Sequence, residues 1–481
     1  MIRLIVRQTN WGILGSIFGF SIGFFVKIYL LDIVGLDAWG RYVTAQTFVS
    51  FIETVLALGI PFVIIKFIPT LIDKHKEKAS RISSVFLKYA LVIGGGFLVM
   101  NYFLSPYIDK FIYTKVDSLS FILFLMSIHV PISLLFGVII SLYRSMLKIK
   151  EIVLYGTVVS VLVRAVLTVV VFQFTSNITY FIIIEVFAQI LVLFILLFLF
   201  NRNQFPIFVK SETKDVIGDN VMIAYGSKMF LNSIIAFISG QSLKFIISIK
   251  LLSVDVGAYS ILLTLTGLTT FLLINLNKVI APVITKLYDE GKVTELNEVY
   301  KKTTFLVNIF TIPLAVLIMF FADEILGLYT EEMISYKPYL FFMMIGGVMS
   351  LVTGSSGMVM VMAGLERHDV NIQFIRAVLL IFFSLWLIPL MGLKIVVILY
   401  VLFMFFEKAV QLFYINKYVS ISPFSKDLIF LLLLTIIAMF FAVTQQFDFE
   451  IYHYFIIPIG IYLIYFSIMY YPLKKLIKEL F

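Results

Sequence analysis

The chain has no cysteine, which removes disulfides, thiolate metal sites and cysteine nucleophiles from consideration. Charge is scarce too: 14% of the 481 residues are Asp, Glu, Lys or Arg, where a soluble domain carries about one-quarter. The four histidines show no metal-ligand spacing, so no metal site is expected. There is no Gly-x4-Gly-Lys-[Ser/Thr] run to cradle a nucleotide phosphate. No polar stretch between apolar runs has room for an extramembrane catalytic or nucleotide-binding domain. ATP hydrolysis on this chain is therefore not expected.

What the chain has in abundance is apolar sequence, 61% of residues with a mean hydropathy of +1.07. A run of about 20 apolar residues crosses a bilayer core as a helix. Such runs fall at 12–31, 42–65, 83–104, 119–142, 152–174, 178–200, 221–249, 257–283, 304–322, 338–362, 371–390, 394–415, 428–445 and 452–470. Their unbroken character excludes a transmembrane β-barrel, which alternates. The first run is too long for a cleaved signal and no small-x-small site follows it, so it counts as a permanent span. The expectation is an all-α polytopic membrane protein of fourteen transmembrane helices. With the N-terminus inside, the inner tail and loops carry most of the 37 Lys+Arg, while outer loops such as Asp323-Glu324 and Glu331-Glu332 are acidic. That asymmetry places both termini in the cytoplasm. It also turns the net charge of +9 toward anionic lipid rather than nucleic acid.

An internal repeat organises the chain. Gly15, Gly19, Gly23 and Lys27 are spaced by four and followed by Gly40-Arg41-Tyr42; Ala236, Gly240 and Lys244 precede Gly257-Ala258-Tyr259 at an offset of 217 residues. Residues four apart stack along one helix face, so each run makes a small-residue ridge of the kind that lets membrane helices approach closely. Both ridges are read as walls of one central cavity. An even number of spans per repeat makes the halves parallel: 1–210 with spans 1–6, 211–420 with spans 7–12, and 421–481 with two appended spans and a cytoplasmic tail. Backbone breakers recur in the second helix of each half, Gly59 and Pro61 in one and Pro282 in the other.

The stretch Leu36-Asp37-Ala38-Trp39-Gly40-Arg41-Tyr42 after the glycine helix, its counterpart Val254-Asp255-Val256-Gly257-Ala258-Tyr259-Ser260, and Ala281-Pro282-Val283-Ile284 leading to Tyr288-Asp289-Glu290-Gly291 resemble the polysaccharide transporters. These are flippases of lipid-linked oligosaccharides, within the superfamily that includes multidrug exporters and the lipid II flippase. The likeness covers about residues 1–420. It implies two six-helix lobes around a hydrophilic cavity that opens alternately to each side. It also implies movement of a polyprenyl-diphosphate-linked sugar from the inner to the outer leaflet of a bacterial cytoplasmic membrane.

Ionisable residues inside spans are expensive, about 2.5–3.5 kcal/mol each at a helix centre on insertion scales, and so mark candidate sites. Arg164, nearly central in span 5, suits a diphosphate or acidic sugar through its planar donor fork; the alternative is an ion pair with Glu185 at a similar depth. Lys27 and Lys244 hold equivalent repeat positions and either face the cavity or snorkel outward. Lys228 lies roughly 24 Å along the helix from Lys244 at 1.5 Å per residue. Arg41 beside Trp39 is a ligand or an interfacial anchor, and Lys278 near Asn275 and Asn277 snorkels or marks a wet, kinked segment. Glu53, the acid in the middle of span 2, is a candidate for proton or sodium coupling, since an unpaired carboxylate in low dielectric tends to be protonated; Glu185 is the second coupling candidate. A neutral, hydrogen-bonded Glu53 is the alternative. His129 reads as a core histidine. On this count the embedded bases outnumber the embedded acids Glu53 and Glu185, and an anionic substrate head would balance them.

The expected function is thus flipping of a polyprenyl-diphosphate-linked oligosaccharide by alternating access, with no enzymatic chemistry and no cofactor beyond an ion gradient. The alternatives are an ion-coupled multidrug exporter or a lipid II-type flippase and, in a different class, a membrane-embedded glycan polymerase or transferase. Expected partners are the lipid-linked oligosaccharide, the bilayer and a glycan polymerase, with no nucleic acid.

Overall fold

Apolar segments in a bilayer satisfy their backbone N–H and C=O groups within their own helix. The computed structural model, which describes residues 2–210 and 220–444, is helical nearly throughout, with no strand among those residues. The expected span at 452–470, the tail after it, the middle of the 201–220 linker and the side chain of Lys278 lie outside what is described.

In chain order the helices are α1 (Ile2–Leu56), α2 (Ile60–Lys74), α3 (Lys76–Phe111), α4 (Ser120–Ser127), α5 (His129–Ser145) and α6 (Ile149–Glu151). A π-helical turn, Ile152–Val158, leads from α6 into α7 (Val159–Val171), followed by α8 (Thr179–Asn203) and α9 (Asn220–Lys250). Then come α10 (Ser253–Asp289), α11 (Val293–Phe320), α12 (Ala322–Gly327), α13 (Lys337–Val352), α14 (Ser356–Met362), α15 (Glu366–Met391), α16 (Leu393–Val419) and α17 (Lys426–Thr444). Among the described residues, eleven helical stretches are long and apolar enough to cross a membrane. The first, Trp11–Leu56, has 46 residues and at 1.5 Å per residue would run roughly 69 Å, twice what a bilayer core needs. It is broken at Gly35, φ 77° and ψ 169°, where the sequence places the loop between spans 1 and 2. A second break follows at Leu58 and Gly59, both at positive φ, with Pro61 in the first turn of α2, where its missing N–H costs nothing. Pro282, by contrast, is carried inside the continuous α10. The chain is an all-α, multi-pass membrane protein.

The residues gather into two compact units, Met1–Gly257 and Ala258–Phe481. The packing counts α9 with the eight helices before it, where it lies on α1 and α2; the sequence repeat changes over earlier, at 210. In the first unit α3 and α5 form the closest helix pair. A Cβ on Gly94 would sit 2.5 Å from Pro131 Cα, whereas one on the neighbouring Gly95 would meet nothing within 4 Å. In the second unit α11 is the interior helix. Asn308 donates to the carbonyls of Thr304 and Leu351 at 2.7 and 2.8 Å, and Tyr300 donates to the Thr353 carbonyl at 2.6 Å. Between α10 and α11 the exposed Lys292 sits 2.8 Å from Glu290 and, through that hydrogen bond, holds its carboxyl below the usual range.

These glycine contacts give a direct test. Gly94→Ala forces α3 off Pro131 and should cost about 1–3 kcal/mol of overpacking, read as a lower melting temperature of the detergent-purified protein. Gly95→Ala should leave that temperature unchanged or raise it, because alanine favours helix over glycine.

Candidate functional site

The first unit contains an open cavity of about 950 Å³ lined by α1, the α1–α2 break, the start of α2, α3, α5 and α9. Its wall carries a set of polar groups among apolar ones: Gln46, Ser50 and Thr54 come from α1 at helical spacing, and Asn232, Ser233 and Gln241 from α9. Two charged side chains are part of the lining, Glu53 and Lys244. Ser133 stands in the same wall as Glu53. Among the described residues neither Glu53 nor Lys244 forms an ion pair. The second ridge of the repeat therefore does line a cavity, through Asn232, Ala236, Gly240 and Lys244.

The first ridge is not part of this wall. A Cβ on Gly15 would lie 2.7 Å from Val153, and one on Gly19 3.2 Å from Thr157, so these glycines receive the π-helical turn after α6. They serve helix contact rather than a wall. Lys27 at the end of that ridge lies over the Trp39 ring, 5.1 Å from its centroid, and within the field of the Lys244 ammonium. The two repeat-equivalent glycines come together: a Cβ on Gly40 would overlap the Ser253 carbonyl oxygen at 1.7 Å, and one on Gly257 would lie 2.6 Å from Leu36 O and 3.2 Å from Gly40 N. Only residues without a side chain permit this crossing of backbones.

Arg164 and Glu185 are paired, Nη1 to Oε1 at 2.8 Å. Tyr42 donates its hydroxyl to the other carboxylate oxygen at 2.7 Å, and Gln46 donates to Tyr42 Oη at 3.2 Å. Glu185 and Tyr42 are buried, and Tyr42 stacks on Trp39 with centroids 4.8 Å apart. A continuous polar path therefore runs from the cavity wall at Gln46 through Tyr42 to an ion pair that locks α7 to α8. Arg41 is held by Asp37, one turn earlier, through Nε at 3.0 Å; Asp37 also accepts from the Ser253 hydroxyl. Lys228 is exposed on α9 and is not part of the cavity wall. His129 Nδ1 lies 2.7 Å from Gln189 Oε1, a partner within the core.

The sequence reading left one constellation out of the embedded set. In the second unit Arg376 of α15 pairs with Glu407 of α16, and Lys408 lies 3.8 Å from the same carboxylate. Gln411, one turn after Glu407, donates to Asp369 Oδ1 at 2.8 Å and accepts from Ser356 Oγ at 2.7 Å and from Lys408 Nζ at 3.1 Å. The signal was available, since Arg376 interrupts the run 371–390 and Glu407-Lys408 the run 394–415. Each unit thus carries an Arg–Glu bridge between consecutive long helices, and both bridges use up their charges internally.

Removing one partner of such a pair leaves the other charge buried alone, at a cost of about 3 kcal/mol. Glu185→Ala should therefore lower the melting temperature by several degrees, and the Arg164→Leu, Glu185→Leu double variant should recover most of the loss. If the single and double variants melt together, the pair contributes no coupling.

With this geometry in hand, comparison with known proteins places the chain. No curated protein matches it by sequence. Among solved structures, the lipid II flippase MurJ in an inward closed conformation is similar with a TM-score of 0.71 at 16% identity, over 96% of this chain and 98% of that one. A multidrug resistance MATE family transporter of the MOP superfamily, inward-facing, gives 0.65 at 15% identity over 82% and 94%. A MOP superfamily transporter from Pyrococcus furiosus gives 0.60 at 14% identity over 87% and 95%. These likenesses establish the fold. The sequence profile of a family described as polysaccharide biosynthesis protein matches residues 33–338, and the chain belongs to that family.

Proposed function

We propose that this protein is a flippase that moves a polyprenyl-diphosphate-linked oligosaccharide across a bacterial cytoplasmic membrane by alternating access, with both termini in the cytoplasm and the head group passing through the polar cavity. The observation that carries the reading is the wall of that cavity. Lys244 stands in it with no carboxylate partner among the described residues, while Arg164 and Arg376 are already neutralised. An unpaired ammonium in a cavity wall between membrane helices attracts a counter-charge, and a diphosphate or acidic sugar supplies one. The amides and hydroxyls around it, Gln46, Ser50, Asn232 and Gln241, are hydrogen-bonding partners of the kind that sugars require. Sugars and diphosphate cannot cross hydrocarbon unaided, so a hydrated passage is what such a substrate needs. Membership of a polysaccharide biosynthesis family supports the same assignment, and the protein named a lipid II flippase shares the fold.

The MATE likeness fits an ion-coupled multidrug exporter at the level of fold, and Glu53 in the cavity wall is the observation in its favour. We assign Glu53 to coupling of the flippase with a proton or sodium gradient, because it lines the cavity and has no basic partner among the described residues. Glu185 is assigned to structure, since both of its oxygens are occupied. Arg164 acts with it. Lys27, over the Trp39 ring, is proposed as a second cation for the head group. Arg41, held by Asp37, and Lys228, exposed on α9, are given no contact with the head group.

Lys244→Ala should reduce surface glycan about tenfold to a hundredfold, the equivalent of about 1.5–3 kcal/mol for a charge-assisted contact, at unchanged protein level. Lys244→Arg should retain a substantial part. Glu53→Gln should leave binding intact but uncouple transport from the ion gradient in proteoliposomes. Full glycan display in Lys244→Ala would contradict the reading.

A further inference from the structure

A second cavity, of about 550 Å³, adjoins the first behind the α1–α2 break. Its lining is apolar, with Val63, Val92, Ile93, Ile223 and Phe230 from α2, α3 and α9, and with Lys88 as its charged member. Ile60 and Tyr89 belong to both cavities, so polar and apolar chambers share a wall. That wall is built to be thin. Gly59, at φ 71°, lies against the α9 backbone so closely that a Cβ would be 2.4 Å from Gly226 O and 2.9 Å from Phe230 N. Tyr89 spans the boundary, its ring between the chambers and its hydroxyl donated to Leu56 O at 3.0 Å.

An amphiphile with a sugar-diphosphate head and a hydrocarbon tail needs such a pair of neighbouring environments, because neither end tolerates the other's surroundings. We infer that the apolar chamber between α2, α3 and α9 holds the first isoprene units of the lipid carrier while the head occupies the polar cavity. Lys244 lies on the head side of the shared wall, within reach of the diphosphate that joins tail to head. The inference rests on the flippase reading and adds to it the position of the tail. Ordinary acyl chains would contact the lipid-facing helix surfaces everywhere alike; continuity with the polar cavity sets this chamber apart.

The test uses the full chain in lipid nanodiscs and a polyprenyl diphosphate carrying a diazirine in its isoprenoid chain. After irradiation, peptide mapping should find adducts on α2, α3 and α9 around Val92, Ile93 and Ile223. Unlabelled polyprenyl diphosphate should compete them away and phosphatidylglycerol should not. Ile223→Trp and Val92→Trp, at positions 44% and 67% exposed where added bulk displaces no core residue, should lose most of the labelling while keeping the wild-type melting temperature. Adducts spread over outward-facing residues such as Phe194 and Phe382, equal competition by phosphatidylglycerol, or adducts confined to 452–470 would overturn it. If Lys244→Ala abolishes glycan display while the chamber stays unlabelled, the flippase reading holds and the tail site falls. If the chamber labels but Lys244→Ala displays glycan normally, the head site falls and the tail site stands.

Discussion

Two backbones that cross without side chains between them set the geometry of the first unit. Gly40 and Gly257 lie 217 residues apart and occupy the same place in the repeat, yet each is pressed against the other's segment at distances no Cβ could survive. In a bilayer no hydrophobic force drives helices together, and close packing must take its place. The crossing joins the end of α9 and the start of α10 to the middle of α1, so that α9 closes the cavity and Lys27 shares the field of Lys244.

The embedded charges then separate into two kinds. Arg164 with Glu185, Arg376 with Glu407, and Arg41 with Asp37 are matched within the protein. Such pairs hold helices in register, and little of their charge is left for a ligand. Glu53 and Lys244 are part of a cavity wall and have no ion-pair partner among the described residues. The distinction is one of function as much as of geometry, because only an unmatched charge has free energy to gain from a substrate.

Much of this was legible in the sequence and some was not, for identifiable reasons. Apolar runs and the 217-residue offset carry the all-α architecture, because span length and small-residue spacing are local properties. Arg164 and Glu185 were legible as partners from their matching depth, the break within 32–41 from the gap between apolar runs, and the one at Gly59 from that glycine and Pro61. The use made of the first ridge was not legible: Gly15 and Gly19 receive Val153 and Thr157, and spacing cannot tell which neighbour fills a glycine notch. Tyr42 as the third member of the Glu185 cluster escaped because its partner is 143 residues away. The cluster around Glu407 escaped although its charges interrupt apolar runs as plainly as Arg164 does.

The central claim is that the polar cavity is wet and presents net positive character at Lys244. A chain without cysteine permits a clean measurement: Gln241→Cys, introduced one turn from Lys244, and its modification rates by anionic and cationic methanethiosulfonate reagents. The account predicts faster modification by the anionic reagent, loss of that preference in the Lys244→Ala background, and protection by a polyprenyl-diphosphate-linked oligosaccharide. A cysteine that is inaccessible to both reagents, or modified equally by both with Lys244 in place, would contradict it.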